Sequence, residues 1–355
     1  MRSFFFYLGS IVVGAAFFGF ARWLGNDYLF FAGYTVLQFI VLATAWNILG
    51  GYCGYVNFGS AAFFAVGAYS SVALHKLGMN IDRYFPESLA GIAKLVMPFN
   101  IPTLIIVGGI ISGLIGLGTG YLTLRLRGAF FAIATLALAV VLQTLVVNWD
   151  FVGGSRGAYI IRPAEVPLIG HYIQYLFLVM LILAIVAIAV ARIIEQSRLG
   201  YGFATIRDDE LAAEACGVPT LRLKLIATTI SGGLMGMAGA PFPYYIGYLE
   251  PSSAFGLAYA VNSIAMPMIG GTTSWVGPLV GALVLGIIQQ IATVTISSAV
   301  NLLIVGLLLV GFVILAPNGI VGLVQDYMRR GASKDGTPTW RSRFAAFANM
   351  RPGAR

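Results

Sequence analysis

Residues 171–191 read HYIQYLFLVMLILAIVAIAVA, a stretch that contains no Asp, Glu, Lys or Arg. A helix needs about 20 predominantly apolar residues to cross the hydrocarbon layer of a bilayer. The length of this stretch and its lack of charge therefore predict a transmembrane helix.

The rest of the chain repeats this pattern. Hydrophobic residues make up 59% of the 355 residues and charged residues 10%, whereas soluble domains carry about 25% charged residues. We therefore predict an all-α integral membrane protein, a polytopic helical bundle of about ten transmembrane helices. The seventh span along the chain, 223–240, stops early at Pro241, and the eighth, 256–271, is short. We therefore expect these two spans to be tilted, broken or re-entrant. The nine predicted spans besides 171–191 are 4–21, 28–49, 57–75, 101–124, 128–147, 223–240, 256–271, 276–294 and 299–316.

Glycine is frequent, with 44 residues in the chain. In membrane helices Gly lets two backbones approach closely. Gly-x-x-x-Gly pairs therefore predict close helix packing, and we assign no substrate role to the pairs at 109/113, 116/120, 232/236 and 277/281.

The distribution of basic residues orients the bundle. If the N-terminus and the loop 192–222 face the cytoplasm, 15 of the 21 Lys and Arg residues lie on that side, as the positive-inside rule requires. An even number of spans then places both termini in the cytoplasm. We expect residues 1–325 to form the transmembrane domain, with 192–222 as a cytoplasmic loop within it, and 326–355 to form a basic cytoplasmic tail.

The predicted spans lack the groups that chemistry in a membrane requires. Their interiors hold no acidic or basic side chain, and we place Lys224 and His171 at span edges. A charge inside the bilayer usually marks an ion or proton relay, so proton-coupled transport is disfavoured. The chain has no phosphate-binding loop, metal-ligand cluster or catalytic cluster. These absences favour a conduit without enzymatic activity, and we expect no metal or cofactor in this chain.

The longest polar insertion contains RDDELAAEACGVPTLRLKL, residues 207–225. The run DDELAAEACG predicts a short helix with Asp208 as its N-cap and Gly217 at a left-handed C-cap. Leu211, Ala212 and Ala215 share one small apolar face. Such a short helix is marginal alone in water, so two interpretations stay open. It is either a solvated connector or a knob that fits a groove on a cytoplasmic protein.

This stretch resembles the cytoplasmic coupling motif of permeases of the LivM type, from branched-chain amino-acid ABC importers. In that family a run R-x-x-E-x-A-A-E-x-x-G precedes a basic pair, here Arg222 and Lys224. Six further blocks resemble the family in the same order, over roughly residues 40 to 325. They are NILGGYCGYVNFGSAAFFAVGAY (47–69), RLRGAFFAIATLAL (125–138), NWDFVGGSRG (148–157), SGGLMGMAGA (231–240), IGGTTSWVGPLVGA (269–282) and APNGIVGL (316–323).

The resemblance implies a subunit of an importer in the bacterial inner membrane. Its partners would be a second permease subunit, two cytoplasmic ATPases that carry ATP and Mg, and a periplasmic substrate-binding protein. Transport would proceed by alternating access. The resemblance assigns contact with the ATPases to Arg207, Asp208, Glu210, Ala212, Ala213, Glu214 and Gly217.

Residues 50–69 combine four glycines with polar side chains in an apolar context. Irregular backbone is tolerated at membrane depth only when it is buried or lines an aqueous path. The segment is therefore either a closely packed helix or a broken helix beside the substrate path, whose candidate residues are Gly54, Asn57, Gly59 and Ser60. Tyr55, Asn57 and Ser60 depart from the family pattern, which leaves the substrate open among branched-chain amino acids, urea, short amides and aromatic acids.

The segment 148–170 is the main hydrophilic surface on the opposite side. It is either a solvated loop or a docking site for the substrate-binding protein, with Trp149, Asp150, Arg156 and Arg162 as candidate contacts. The segment 270–278, GGTTSWVGP, predicts a cytoplasmic turn. Two other function classes stay open: a secondary transporter that works alone and, ranked last, a membrane-embedded enzyme.

Overall fold

The computed structural model describes residues 2–81, 99–162, 165–166 and 170–295, and in the C-terminal part residues 303, 306–307, 310–311 and 319–324. These residues are mainly helical. In chain order the helices are α1 (Arg2–Leu24), α2 (Asp27–Gly50), α3 (Ser60–Met79), α4 (Ile101–Thr123), α5 (Ala129–Val147), α6 (Tyr172–Glu195), α7 (Arg198–Asp208), α8 (Glu210–Ala215), α9 (Thr220–Gly239), α10 (Phe242–Ile246), α11 (Pro251–Ala254), α12 (Leu257–Gly270) and α13 (Val276–Thr295).

Two short 3-10 helices, Asp150–Val152 and Gly154–Arg156, and four two-residue strands complete the described structure. The strands are β1 (Ala158–Tyr159), β2 (Glu165–Val166), β3 (Gly170–His171) and β4 (Tyr248–Leu249). The strands form two antiparallel pairs, β1 with β4 and β2 with β3. The β1–β4 pair ties the segment after α5 to the segment after α10.

The prediction of an all-α membrane bundle is confirmed. Among the described residues, seven helical segments are long and apolar enough to cross a bilayer, when α9 is joined to α10 and α11 to α12. The two spans predicted to be irregular, 223–240 and 256–271, correspond to the continuous helices α9 and α12, and the breaks lie at their ends, after α9 and before α12. The tenth predicted span, 299–316, lies mostly outside the described residues, and the tail 326–355 lies wholly outside them.

Helix α9 lies at the centre of the bundle, where it packs against α4, α3 and α2. These contacts are backbone to backbone. A Cβ atom at Gly67 of α3 would overlap the carbonyl of Gly236, and one at Gly239 would overlap the carbonyl of Phe64. The close packing expected from the Gly-x-x-x-Gly pairs is confirmed, because such contacts hold α9 rigidly against its neighbours.

The loops gather at two opposite ends of the bundle. One end, which we call the α8 face, holds the segments 51–59, 124–128, 192–222 and 271–275, which contact one another. The other end, which we call the β face, holds the β1–β4 pair and the turn after α10. The two faces carry the two groups of candidate functional residues.

Candidate functional site

The loop after α6 folds into two helices, although the sequence predicted only one. Ser197 caps the first of them, α7, because its hydroxyl accepts a hydrogen bond from the Leu199 amide at 3.2 Å. The prediction that Asp208 caps the second helix is wrong, since Asp208 ends α7. The cap of α8 is the next residue, Asp209, whose Oδ1 accepts from the amides of Leu211 at 2.9 Å and Ala212 at 3.0 Å.

The predicted left-handed C-cap of α8 is confirmed. Gly217 has φ +83°, a conformation that suits Gly because it has no Cβ. The amide of Gly217 donates to the Glu214 carbonyl at 2.9 Å, and the amide of Val218 donates to the Ala213 carbonyl at 3.0 Å. These two bonds form the Schellman arrangement, so α8 is closed at both ends.

The two sides of α8 have different surroundings. Leu211 is 64% exposed, and Ala212, Ala215 and Cys216 are exposed beside it. Ala213 is buried against the bundle. The helix therefore presents a small apolar face outward, as predicted, but Ala213 does not belong to that face.

The inner side of α8 is tied to the bundle by a buried cation. Lys224 lies within α9 and is 2% exposed. Its Nζ donates to Glu210 Oε1 at 2.7 Å, to the Tyr55 hydroxyl at 3.1 Å and to the Leu124 carbonyl at 3.1 Å. Lys224 thus lies near the start of its span, as predicted, but it is buried there. Glu210 folds back from α8 to neutralise it.

Tyr55 completes this ionic cluster. Its hydroxyl donates to Glu210 Oε2, and the Lys224 ammonium lies 4.6 Å from the centre of its ring. The same ring packs edge to face on Phe131, at 5.1 Å between ring centres. Burial and, next, the hydrogen bond to Glu210 raise the pKa of the Tyr55 hydroxyl, so the phenol remains a proton donor.

A second, exposed ion pair lies beside the first. Arg127 donates to Glu214 Oε2 at 2.9 Å, and the Thr220 hydroxyl donates to Glu214 Oε1 at 2.7 Å. The bond from Thr220, followed by that from Arg127, holds the pKa of the Glu214 carboxyl below its usual range. Water screens exposed pairs strongly, so this link is weaker than the buried one.

The structure brings Arg207 and Asp208 to the same face without joining them to the cluster. Arg207 packs over Gly54, where a Cβ atom would lie 3.0 Å from Arg207 Cγ. Its guanidinium Nε lies 3.5 Å from Asp208 Oδ1, and Asp208 is exposed. Both side chains are therefore placed toward the surface of the α8 face.

The segment 51–59 is non-helical, which agrees with a helix break between α2 and α3. Gly54 lines an open depression of about 380 Å³ beside α8, together with Tyr55 and Glu210. Asn57 is buried, with its Oδ1 accepting from the Gly59 amide at 2.8 Å.

The four predicted substrate-path residues do not share one cavity. Asn57 and Gly59 line a small, partly open cavity, together with Thr119, Thr135 and Thr228. Ser60 lies apart from it, with its hydroxyl 2.8 Å from the Ser263 hydroxyl of α12. Gly54 opens onto the surface depression instead.

On the β face, all four predicted docking residues are exposed: Trp149, Asp150, Arg156 and Arg162. Arg162 has a structural contact, since its guanidinium donates to the carbonyls of Tyr244 at 3.0 Å and Tyr245 at 2.7 Å. The segment 148–162 is thus held against the end of α10 while its outer surface stays open.

The predicted turn at 270–278 lies on the α8 face. Its Trp275 amide donates to Glu195 Oε2 at 2.7 Å, and the Tyr52 hydroxyl donates to the same oxygen at 3.3 Å. A carboxylate at the end of α6 therefore joins this turn to the segment that follows α2.

Residues 28–313 match the family described as branched-chain amino acid transport system / permease component. The chain belongs to this family. It is 25% identical to the high-affinity branched-chain amino acid transport system permease protein LivM of Escherichia coli (strain K12), over 83% of this chain and 71% of that protein. It is 22% identical to the probable branched-chain amino acid transport permease protein LivH of Methanocaldococcus jannaschii, over 77% of this chain and 85% of that protein. No solved structure matches the chain.

Membership of this permease family and the apolar helices make the chain a multi-pass membrane transport component. Within the part of the chain that the structure describes, no group of three or more His, Cys, Asp or Glu could hold a metal ion. The polar contacts that we describe serve to position helices.

Sequence reasoning missed several residues of the α8 face as members of one cluster. Tyr55 was noted only as a departure from the family pattern, and Arg127 only as a basic residue of the predicted cytoplasmic side. The sequence does carry one signal for the cluster. Lys224 belongs to the basic pair that follows the motif in this permease family. Its partner Glu210 lies 14 positions earlier, but the helix is interrupted between α8 and α9, so helical periodicity does not relate the two residues.

Proposed function

We propose that this chain is the transmembrane permease subunit of an ATP-driven importer for branched-chain amino acids or related small zwitterionic or amide solutes. It would work in the bacterial inner membrane by alternating access. ATP and Mg would be held by two separate ATPase subunits. A second permease subunit and a periplasmic binding protein would complete the assembly.

The observation that carries this proposal is the construction of α8. A six-residue helix gains little stability in isolation, yet this one is capped at both ends and anchored by Glu210. Its outward surface is nevertheless apolar and exposed at Leu211. A solvated connector has no need of such anchoring, whereas a knob that receives force from an ATPase requires it.

The charge of the two ends supports a cytoplasmic position for the α8 face. Seven of the basic residues lie there: Arg125, Arg127, Arg192, Arg198, Arg207, Arg222 and Lys224. The β face holds Arg22, Lys76, Arg156 and Arg162 among the described residues. By the positive-inside rule the α8 face and both chain termini would be cytoplasmic.

The β face would then receive the binding protein through Trp149, Asp150 and Arg156, which are exposed there. Charges at such a rim contribute orientation more than affinity. The substrate path would pass near Asn57 and Gly59, because these residues line the small cavity between α3, α4, α5 and α9.

The test is co-purification of the tagged chain in mild detergent, expressed with its candidate partners. Leu211→Glu places a charge on the outward side of α8 without touching the ionic cluster. The matched control is Tyr159→Glu on the β face, where the side chain is 78% exposed. We expect two ATPases and a second permease with the wild type and the control, and loss of the ATPases with Leu211→Glu.

A chain that purifies without ATPases and concentrates leucine in proteoliposomes on an ion gradient alone would instead be a secondary transporter. The substrate is settled in the same vesicles. Uptake of leucine, isoleucine and valine is compared with uptake of urea and of an aromatic acid.

A further inference from the structure

Lys224 is anchored to three separate parts of the α8 face. Glu210 belongs to α8, Tyr55 to the segment between α2 and α3, and the carbonyl of Leu124 to the end of α4. A charge within a membrane span is expensive and is usually retained for a function.

Lys224 also lies on the most central helix. Its own carbonyl accepts from the Thr228 hydroxyl one turn later, at 2.9 Å. Below that turn, α9 packs backbone to backbone on α3 and α4. A displacement of α8 is therefore applied through the Lys224–Glu210 pair to a rigid group of three helices.

Resting on the proposed function, we propose that Lys224 is a positioning residue that transmits the movement of α8 to the transmembrane bundle. The buried pair suits this role because two charges shielded from water keep a fixed geometry. The Arg127–Glu214 pair is open to solvent, so it holds α8 less firmly. Tyr55 extends the same linkage to the segment that leads into α3.

The test measures molecules transported per ATP hydrolysed, in proteoliposomes that contain the complete assembly. Lys224→Met alone leaves Glu210 with only the exposed Arg127 guanidinium, whose Nε lies 3.6 Å from Glu210 Oε1, and this variant can fail to fold. The decisive variant is therefore Lys224→Met with Glu210→Met, which removes both charges together. Such paired replacement is often neutral for stability. Lys76→Met, in the half-buried end of α3 on the β face, is the matched control.

Cys216 provides a readout of docking that is independent of transport. Its thiol is exposed at the end of α8, so bound ATPases should shield it from alkylation. The second cysteine, Cys53, does not interfere, since burial raises the pKa of its thiol to about 12. Alkylation in the assembled and the ATPase-free protein therefore reports whether α8 is covered.

We expect the double variant to keep its ATPases, its shielded Cys216 and its ATP hydrolysis, while transport per ATP falls about tenfold. The control should keep the wild-type ratio. An unchanged ratio in the double variant would overturn the proposal. So would loss of Cys216 shielding, because Lys224 would then shape the docking surface itself. If the wild-type chain itself binds no ATPase, the proposed importer function is wrong, and the role of Lys224 that rests on it is wrong as well.

Discussion

The two ends of the bundle are held together by different forces. On the α8 face, four charged side chains join segments that lie far apart in the sequence: Glu210, Glu214, Arg127 and Lys224. On the β face, aromatic rings stack instead. Tyr34 and Tyr245 lie 4.2 Å apart between ring centres, and Tyr159 and Tyr248 lie 4.6 Å apart.

This difference determines how strongly a substitution lowers the stability of each end. A buried ion pair depends on the orientation of its two members, and removing one of them leaves the other charge buried without its partner. Stacked rings contribute through contact area, so a small change to one of them removes only part of the contribution. The α8 face should therefore be sensitive to single changes of charge, and the β face should be tolerant of them.

The largest effect should follow Lys224→Met. This change leaves the Glu210 carboxylate, 12% exposed, with only the exposed Arg127 as a charged partner at 3.6 Å, and breaking a buried pair on one side costs about 3–5 kcal/mol of unfolding free energy. Denaturation in mild detergent, followed by tryptophan fluorescence, measures it. Adding Glu210→Met should restore most of the loss. A double variant as unstable as the single one would show that packing, and not charge, sets the stability of this end.

A smaller effect should follow Tyr245→Phe on the β face. The hydroxyl of Tyr245 lies 3.0 Å from the Thr35 hydroxyl and donates a longer bond, 3.3 Å, to the Phe31 carbonyl, and the ring stack on Tyr34 is left intact. Loss of one such hydrogen bond costs about 1 kcal/mol. The same unfolding assay measures it, with Tyr248→Phe as control because that hydroxyl is bonded at the surface. A loss as large as that of Lys224→Met would remove the contrast between the ends.

The smallest effect should follow Glu214→Gln, because the Arg127–Glu214 pair is exposed. At neutral pH we expect only a small decrease in the unfolding midpoint. The folded-state pKa of Glu214 is lowered from the ordinary 4.5, chiefly by the bond from Thr220. Its contribution is therefore complete above the ordinary value and is lost as pH falls through the lowered one.

The unfolding midpoint is followed across the acid range for the wild type and the Gln variant. The two curves should converge at low pH, where the wild-type carboxyl is protonated as well. A constant gap between the curves at every pH would mean that Glu214 acts through its shape and not its charge.

The membrane-spanning part of this structure could be predicted from the sequence because hydrophobic length is a local property. The spans around α2 and α6 follow directly from runs of apolar residues. The interruption of α9 also follows from local sequence, since Pro241 cannot continue a helix.

The ionic cluster could not be predicted in the same way. Lys224 lies near the start of a span, a position from which a lysine normally reaches water, and only the tertiary fold closes it off. Asp208 and Asp209 are chemically identical N-caps in the sequence. The choice between them depends on where α7 ends, and α7 itself was missed because Gly200 and Gly202 weaken its helical pattern.

The anchors of α8 have a consequence for how the chain is made. Tyr55 and Leu124 are synthesised well before Glu210, but Lys224 leaves the ribosome after α8 itself. Because so short a helix has little stability of its own, α8 can be fixed in place only once α9 has entered the membrane and delivered the lysine. A truncated or misinserted chain would expose the same residues as an unstructured loop. Helix α8 is therefore fixed only after α9 has been inserted, and in the proposed importer recruitment of the ATPases would select copies that have reached this stage.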